Sequence, residues 1–347
     1  MQKITWLEIE PVDTLFFRGS EAMEAGENHE VDTMFPPMPA TISGAVRTAL
    51  MRQNGINPAD YCKSPEKWQE KIPFLGLPDN PGFSVLGPLF TTGNGSQLLP
   101  VPAHWFADDL PDSGQMEWEK SYVVEAAGPL DENGLGLTGS VPRPFWVKKP
   151  PGKDMKPLSG YWASLGAFKK MASNQGKVFF SNKHTGPEGE DAFILPQSAL
   201  YVKEERVGIA LTGQRTAREG HLYSTGHVRL REGVKLVAGI ASEHDFPLRE
   251  REIIQLGGEQ RVCGYRVVDL DIDILEGKRF WYALSPVPVA ELPDGWQEHP
   301  RASEKLLRIG GWDMRRGFHK PMTAWLPAGT VIAAPTMEND LPQFIKI

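Results

Sequence analysis

The chain reads as α+β with more strand than helix, and three observations carry that expectation. Several short runs alternate apolar and polar residues, one stretch repeats apolar residues at the 3, 4 and 7 spacing of a helix, and 30 prolines with 35 glycines punctuate the 347 residues with turns. Hydrophobic residues make up 40% and charged residues 23%, the balance of a chain that folds. Its length exceeds what one core usually serves, so two domains are expected.

Lys3 to Glu10 forms the opening strand. A polar, acidic loop follows from Ser20 to Thr33. Phe35-Pro36-Pro37-Met38-Pro39 suits neither helix nor central strand, because proline removes a donor and fixes φ. Thr41 or Ser43 then caps a helix that runs to about Asn54 and stops at Gly55. Ile42, Ala45, Val46, Ala49 and Leu50 form its apolar face, with Arg47 and Arg52 outside it. Strand, long loop and amphipathic helix make the first half of a ferredoxin-like unit. Residues 75–160 are rich in Pro and Gly. A structureless loop of that length is rare, so an ordered insertion with short strands is expected. Lys148, Lys149, Lys153 and Lys156 read as its solvated surface. The turn around Gly186–Asp191 sets a domain break near 185–195, dividing the chain into 1–190 and 191–347. Beyond it, strands are expected at Val234–Ile240, Val268–Ile274 and Phe280–Leu284.

Composition narrows the function classes. No run of about 18 apolar residues is present, so no membrane span is expected. The N-terminus lacks the basic flank and apolar stretch of a signal peptide. Cys62 and Cys263 suit neither a disulfide framework nor a Cys-x-x-Cys pair, which points to a reducing cytoplasm. A net charge of −7 argues against an autonomous nucleic-acid binder, since phosphate affinity needs clustered Lys and Arg. Charge is uneven, however: Arg301, Lys305, Arg308, Arg315, Arg316 and Lys320 crowd one stretch near the C-terminus, divided in expectation between an RNA or protein contact and a solvated surface. Such a protein meets its anionic ligand inside an assembly.

The N-terminal block holds the most chemistry. Asp13-Thr14-Leu15-Phe16-Phe17-Arg18-Gly19 ends an apolar run on an arginine and a glycine. The proline segment then sets a rigid approach to a helix start, where Thr41, Ser43 and the side-chain-free Gly44 would offer amides to a phosphate and Arg47 a bidentate contact. A well-capped structural helix with a surface arginine explains the same residues.

Together, the Asp-Thr-Leu-Phe-Phe-Arg-Gly segment and Phe35-Pro36-Pro37-x-Pro39-x-Thr41-Ile42-x-Gly44-Ala45-x-Arg47-Thr48-Ala49-Leu50 resemble the third subunit of the type III-B CRISPR Cmr complex, in the RAMP superfamily of RNA-binding proteins. Glu205-Arg206-Val207-Gly208-Ile209, Thr216–Tyr223, Leu256–Arg261 and Pro327–Val331 extend the likeness in the same order. The resemblance implies two ferredoxin-like (RRM-like) domains with long ordered insertions, and glycine-rich loops meeting RNA backbone. It further implies a non-catalytic role without cofactor: gripping the 5′ tag of the crRNA at the foot of the complex. The large polymerase-palm subunit and RAMP backbone subunits would lie alongside. Gly257-Gly258 and Gly310-Gly311 become candidate loops, with Gly264 completing a loose superfamily glycine pattern; Arg206, Arg215, Arg218 and Arg261 become candidate RNA contacts. Tyr223, Trp312 and Phe318 are candidate stacking platforms.

Superfamily relatives that process guide RNA use a histidine base, so a processing endoribonuclease is the alternative. His29, His221 and His227 are its candidates, with His221 foremost beside the basic segment 215–231. His221 and His227 fit no common zinc spacing. Asp269, Asp271 and Asp273 would share one strand face, more readily a solvated face than a Mg²⁺ site.

Overall fold

A computed structural model describes residues 2–347 apart from 20–29, 79, 109, 112–116, 131–142, 148–153, 174–175, 185, 187, 273–279, 314–317 and 335–340; for 30–31, 210, 217–223 and 312–313 it describes the backbone alone. The opening strand β1 (Lys3–Pro11) leads to helix α1 (Pro39–Gln53) and two short helices, α2 (Pro58–Lys63) and α3 (Pro65–Lys71). Strands β2 (Ser84–Thr91), β3 (Gln97–Pro100), β4 (Trp105–Asp108), β5 (Lys120–Ala126), β6 (Met155–Pro157) and β7 (Tyr161–Ser164) follow. Helix α4 (Leu165–Ala172) precedes β8 (Lys177–Phe180) and β9 (Phe193–Pro196). Next, β10 (Tyr201–Leu211) and β11 (Ala217–Leu230) form a long ribbon, and β12 (Lys235–Ser242), β13 (Arg251–Gln255) and β14 (Val262–Val268) return to the body.

Twelve of these strands make one sheet in the order β13-β14-β1-β12-β2-β3-β7-β9-β8-β5-β4-β6. Its β14, β1, β12 and β2 alternate in direction, with α1 carrying the chain from β1 to β2 across β12. That is the strand order of a split βαβ unit. The ferredoxin-like start expected from the first fifty residues therefore exists, but besides β2 its other two strands come from residues 235–268. The break near 185–195 falls between β8 and β9, which pair directly, and β1 lies between two strands of the C-terminal half. Residues 75–160 do hold short strands, as expected; five of them join the common sheet, while Gly128–Pro129 and Phe145–Trp146 pair apart from it. Local patterns specify strands, not which distant strand each will meet.

Period-two alternation buries both faces of the sheet. Leu7 and Ile9 of β1 pack with Ile42, Val46 and Leu50 of α1 on one face. Trp6 turns the other way, toward Leu89, Leu99 and Val237, and the C-terminal segment covers that core with Tyr282, Leu284 and Val331. The apolar face of α1 is buried as predicted, and the helix ends before Gly55, whose φ of +66° closes it. Its start differs. Met38 is the N-cap and Pro39 the first helical residue, not Thr41 or Ser43. Proline presets the helical φ and has no N–H to leave orphaned, so the helix begins there.

Expected strands at Val234–Ile240 and Phe280–Leu284 correspond to β12 and to β15 (Trp281–Ala283). The alternating Val268–Ile274 run does not form one: β14 ends at Val268, and Asp269 to Ile272 lie outside any strand. A second ribbon joins β16 (Leu307–Asp313) and β17 (Phe318–Leu326). Gly310-Gly311 sits inside β16 at a register shift, a bulge rather than a loop. No helix among the described residues is long and apolar enough to cross a membrane.

Candidate nucleic-acid interface

After β1 the chain runs on in extended form, held by isolated bridges from Leu15 to Val228 and from Arg18 to Thr33. Leu15, Phe16 and Phe17 are buried, while Arg18 stays exposed. The β13–β14 turn folds against this segment, and the Gly258 N–H donates to the Phe16 carbonyl at 2.8 Å. Gly257 has a φ of +87°, and a Cβ there would lie 2.5 Å from the same carbonyl; at Gly258 a Cβ would lie 2.8 Å from the Phe16 ring. Close approach of the Phe16 carbonyl thus explains Gly257, and that of the Phe16 ring explains Gly258. One amide expected to serve phosphate serves the fold instead. Glu259 and Gln260 follow with φ of +54° and +52°, the geometry of a primed hairpin turn. Left-handed backbone costs a residue with a Cβ roughly 1–2 kcal/mol.

The first turns of α1 face this corner. Arg18, Thr41, Gly44, Thr48, Gly257 and Gly258 line an open cleft of about 470 Å³, together with Phe17, Ala45, Gln255, Glu259 and Gln260. Five residues singled out from the sequence therefore share one site: Arg18, Thr41, Gly44, Gly257 and Gly258. At Gly44 a Cβ would meet no atom within 4 Å, so the fold does not demand glycine there; its bareness leaves the cleft wide.

Two other candidates in the block lie elsewhere. Ser43 is buried. Arg47, four residues on, shares that side of the helix rather than the side of Thr41, Gly44 and Thr48. Its guanidinium donates to the Pro78 carbonyl at 3.2 Å and to the Tyr61 hydroxyl, and sits 5.2 Å from the Tyr61 ring centroid. The structure thus engages Arg47, expected as a phosphate contact, with protein groups away from the cleft. The helix-start cradle is also displaced: the N–H groups of Thr41 and Ile42 return to the Met38 carbonyl at 2.9 and 3.4 Å.

Beside the cleft, Arg206 and Arg261 do converge, joined by Arg229. Asp13 receives Arg229 at 3.0 Å, Arg206 at 3.3 Å and Arg261 at 3.4 Å. A backbone hydrogen bond from Thr14, with Arg206 and Arg229, holds the Asp13 carboxyl below its ordinary pKa. Sequence reasoning passed over Arg229. Its signal was two-residue spacing: Glu204 pairs with His227 across the ribbon, so Glu204, Arg206, His227 and Arg229 share a face. His227 is buried, stacked on Phe16 at 5.3 Å, with Nδ1 3.2 Å from the Thr14 hydroxyl; burial lowers its pKa.

A family model described as CRISPR-associated protein (Cas_Cmr3) matches residues 7–276, a span that includes the cleft, the first ribbon and the arginine cluster. The chain belongs to the Cas_Cmr3 family. That makes it a type III CRISPR effector subunit, as the motif resemblance implied. Among solved structures, a chain of type III-B Cmr-beta bound to cognate target RNA and AMPPnP matches with a TM-score of 0.51 at 15% identity, over 94% of this chain and 85% of that one. The same complex with cognate target RNA alone gives 0.51 and 15% over 94% and 86%. A chain of the Csm3–Csm4 subcomplex of a type III-A interference complex gives 0.44 and 12% over 95% and 92%. The first two show a shared fold. No curated protein matches by sequence.

Several remaining candidates of this Cas_Cmr3 chain lie on its ribbons. Arg215 sits at the β10–β11 tip with a φ of +60°, exposed, in a turn closed by Thr212 and Thr216. Five strand residues separate Arg206 from Leu211 near that tip, or about 17 Å. Arg215 therefore does not join the cleft. The side chains of Arg218, His221 and Tyr223 lie outside the described residues, as do Trp312, Arg315 and Arg316 and residues His29, Lys148, Lys149, Lys153 and Asp273. Lys156 lies in strand β6, half-buried rather than in a loop. Phe318 is exposed on β17. Asp269 and Asp271 are exposed, and no group of three or more His, Cys, Asp or Glu among the described residues could hold a metal ion.

Proposed function

We propose that this Cas_Cmr3 protein is a non-catalytic subunit of a type III-B effector complex that grips the 5′ tag of the crRNA in the Arg18–Gly44–Gly257 cleft. It caps the foot of the complex beside the large polymerase-palm subunit and a RAMP backbone subunit. One observation carries the reading. Segments 17–18, 41–48 and 255–260, far apart in the chain, close a single open cleft with an exposed arginine on its rim and bare glycine on its wall. Single-stranded RNA is held by such combinations of guanidinium contact and room for the backbone. Two complexes whose chains share the fold hold target RNA, which supports RNA as the partner class. Against a ribonuclease stands the placement of His227, buried behind Phe16 with its ring engaged by Thr14.

Purified effector complex assembled with Arg18→Glu should retain roughly tenfold less tagged guide RNA, with an unchanged melting temperature of the isolated subunit. Guide occupancy equal to wild type would contradict the proposal. Incubation of the isolated protein with repeat RNA tests the non-catalytic part: cleavage abolished by His221→Ala would overturn it.

A further inference from the structure

The arginine cluster beside the cleft is overbuilt for a structural brace. Arg206 from β10, Arg229 from β11 and Arg261 from the turn before β14 direct three guanidinium groups at one carboxylate. Arg229 bonds Oδ1 of Asp13 at 3.0 Å, while Arg206 and Arg261 bond Oδ2 at 3.3 and 3.4 Å. That carboxylate is 46% exposed. Glu204 holds the far side of Arg229 at 3.1 Å, and Glu259 holds Arg261 at 2.5 Å. Exposed ion pairs contribute little to stability, so three arginines on a half-exposed carboxylate make a poor brace. They make a good anion site, because the guanidinium fork fits phosphate oxygens as well as carboxylate oxygens. The site also adjoins the cleft: Glu259 lines it, and Asp13 lies four residues before its Phe17–Arg18 wall.

We infer that Asp13 is the resident occupant of a phosphate site, its two oxygens standing where two non-bridging oxygens of an RNA backbone phosphate bind once the RNA displaces it. The inference deepens the cleft reading and rests on it. Its consequence is selectivity. Three guanidinium groups facing Asp13, Glu204 and Glu259 present no net charge to stray nucleic acid, in keeping with the net charge of −7. An arriving phosphate exchanges with one anion rather than filling an open basic patch. Only RNA already held by the cleft, and so at high local concentration, completes the exchange.

Asp13→Asn removes the competing charge with little change of shape. In the full-length protein it should bind a short oligouridine about tenfold tighter at low salt. The slope of log affinity against log salt should steepen by about 0.7 for the phosphate gained. Adding Arg229→Ala should cancel that gain. Glu259→Gln leaves the Asp13 turn intact and should show a smaller gain of the same sign, so the test survives a misfolded Asp13→Asn. The inference is overturned where both single variants bind oligouridine like wild type while Arg18→Glu still weakens binding, which leaves the cluster a brace. Indifference of the RNA to Arg18→Glu marks the failure of the cleft reading instead. Heat stabilisation of Asp13→Asn by inorganic phosphate, without tighter oligouridine binding, would assign the site to free phosphate and also overturn it.

Discussion

At Gly257 on the cleft wall, glycine is a packing requirement. Gly257 adopts a φ that side chains rarely take and leaves no room for a Cβ under the Phe16 carbonyl. At the tip of the β10–β11 ribbon, Gly213 has nothing within 4 Å of where its Cβ would lie. Arginine divides the same way. Near the body, Arg47, Arg206, Arg229 and Arg261 each engage protein groups, whereas Arg215 at the tip is exposed in a turn. Apolar residues show it too: Leu15 and Phe17 are buried beside the cleft, while Val207, Ile209 and Leu211 stand 71%, 47% and 57% exposed along one face of β10. Near the body these residues meet protein groups; along the described part of the ribbon they meet solvent.

That contrast breaks or sharpens at particular residues. Gly257→Val should destabilise the protein by about 3 kcal/mol through strain and overlap with Phe16, read as a lowered denaturation midpoint. Gly213→Ala should move it by less than about 0.5 kcal/mol. Equal effects would erase the distinction. Arg47→Ala should cost about 2 kcal/mol by stripping hydrogen bonds from Pro78 and Tyr61, yet leave the RNA affinity of the folded protein unchanged. Arg18→Ala should do the reverse. Ile209→Ser should leave stability within about 0.5 kcal/mol while lowering retention of neighbouring subunits in the purified complex.

The smallest effect concerns acid. Burial alone would raise the pKa of Glu8, but hydrogen bonds from Arg266 and Lys235 carry it below the ordinary 4.5. A depressed carboxyl stabilises the fold above its unfolded pKa, and that contribution is lost as pH falls through the folded value. Glu8→Gln should therefore narrow the stability difference between neutral pH and pH below about 4. An unaltered profile would remove Glu8 from the acid response.

Much of the body was legible in the sequence because its information is local. The alternation of β1, the five apolar positions of α1 and the stop at Gly55 each follow from residues a turn apart. Residues of the cleft were legible as motifs, though the reason for Gly257 and Gly258 was not: the partner that demands glycine, the Phe16 carbonyl, is some 240 residues away by number. The same distance hid the pairing of β1 with β12 and β14, which no local pattern encodes. The neighbours of Arg47 were not legible, because spacing along a helix sets its side alone, and Tyr61 arrives from α2 and Pro78 from a later loop. The described part of the Val268–Ile274 run shows the opposite failure: over Asp269–Ile272, alternation sufficient for a strand finds no ladder to join. Arg229 carries no motif and becomes visible only when the ribbon register sets it beside Arg206 and Asp13.

Photocrosslinking in the assembled complex separates cleft from ribbon most directly. With 4-thiouridine placed in the tag of the crRNA, crosslinked peptides should contain Phe17–Gly19 and Gly257–Arg261. Crosslinks confined to the β10–β11 tip around Thr212–Thr216, with none in those two peptides, would contradict the cleft as the seat of the tag.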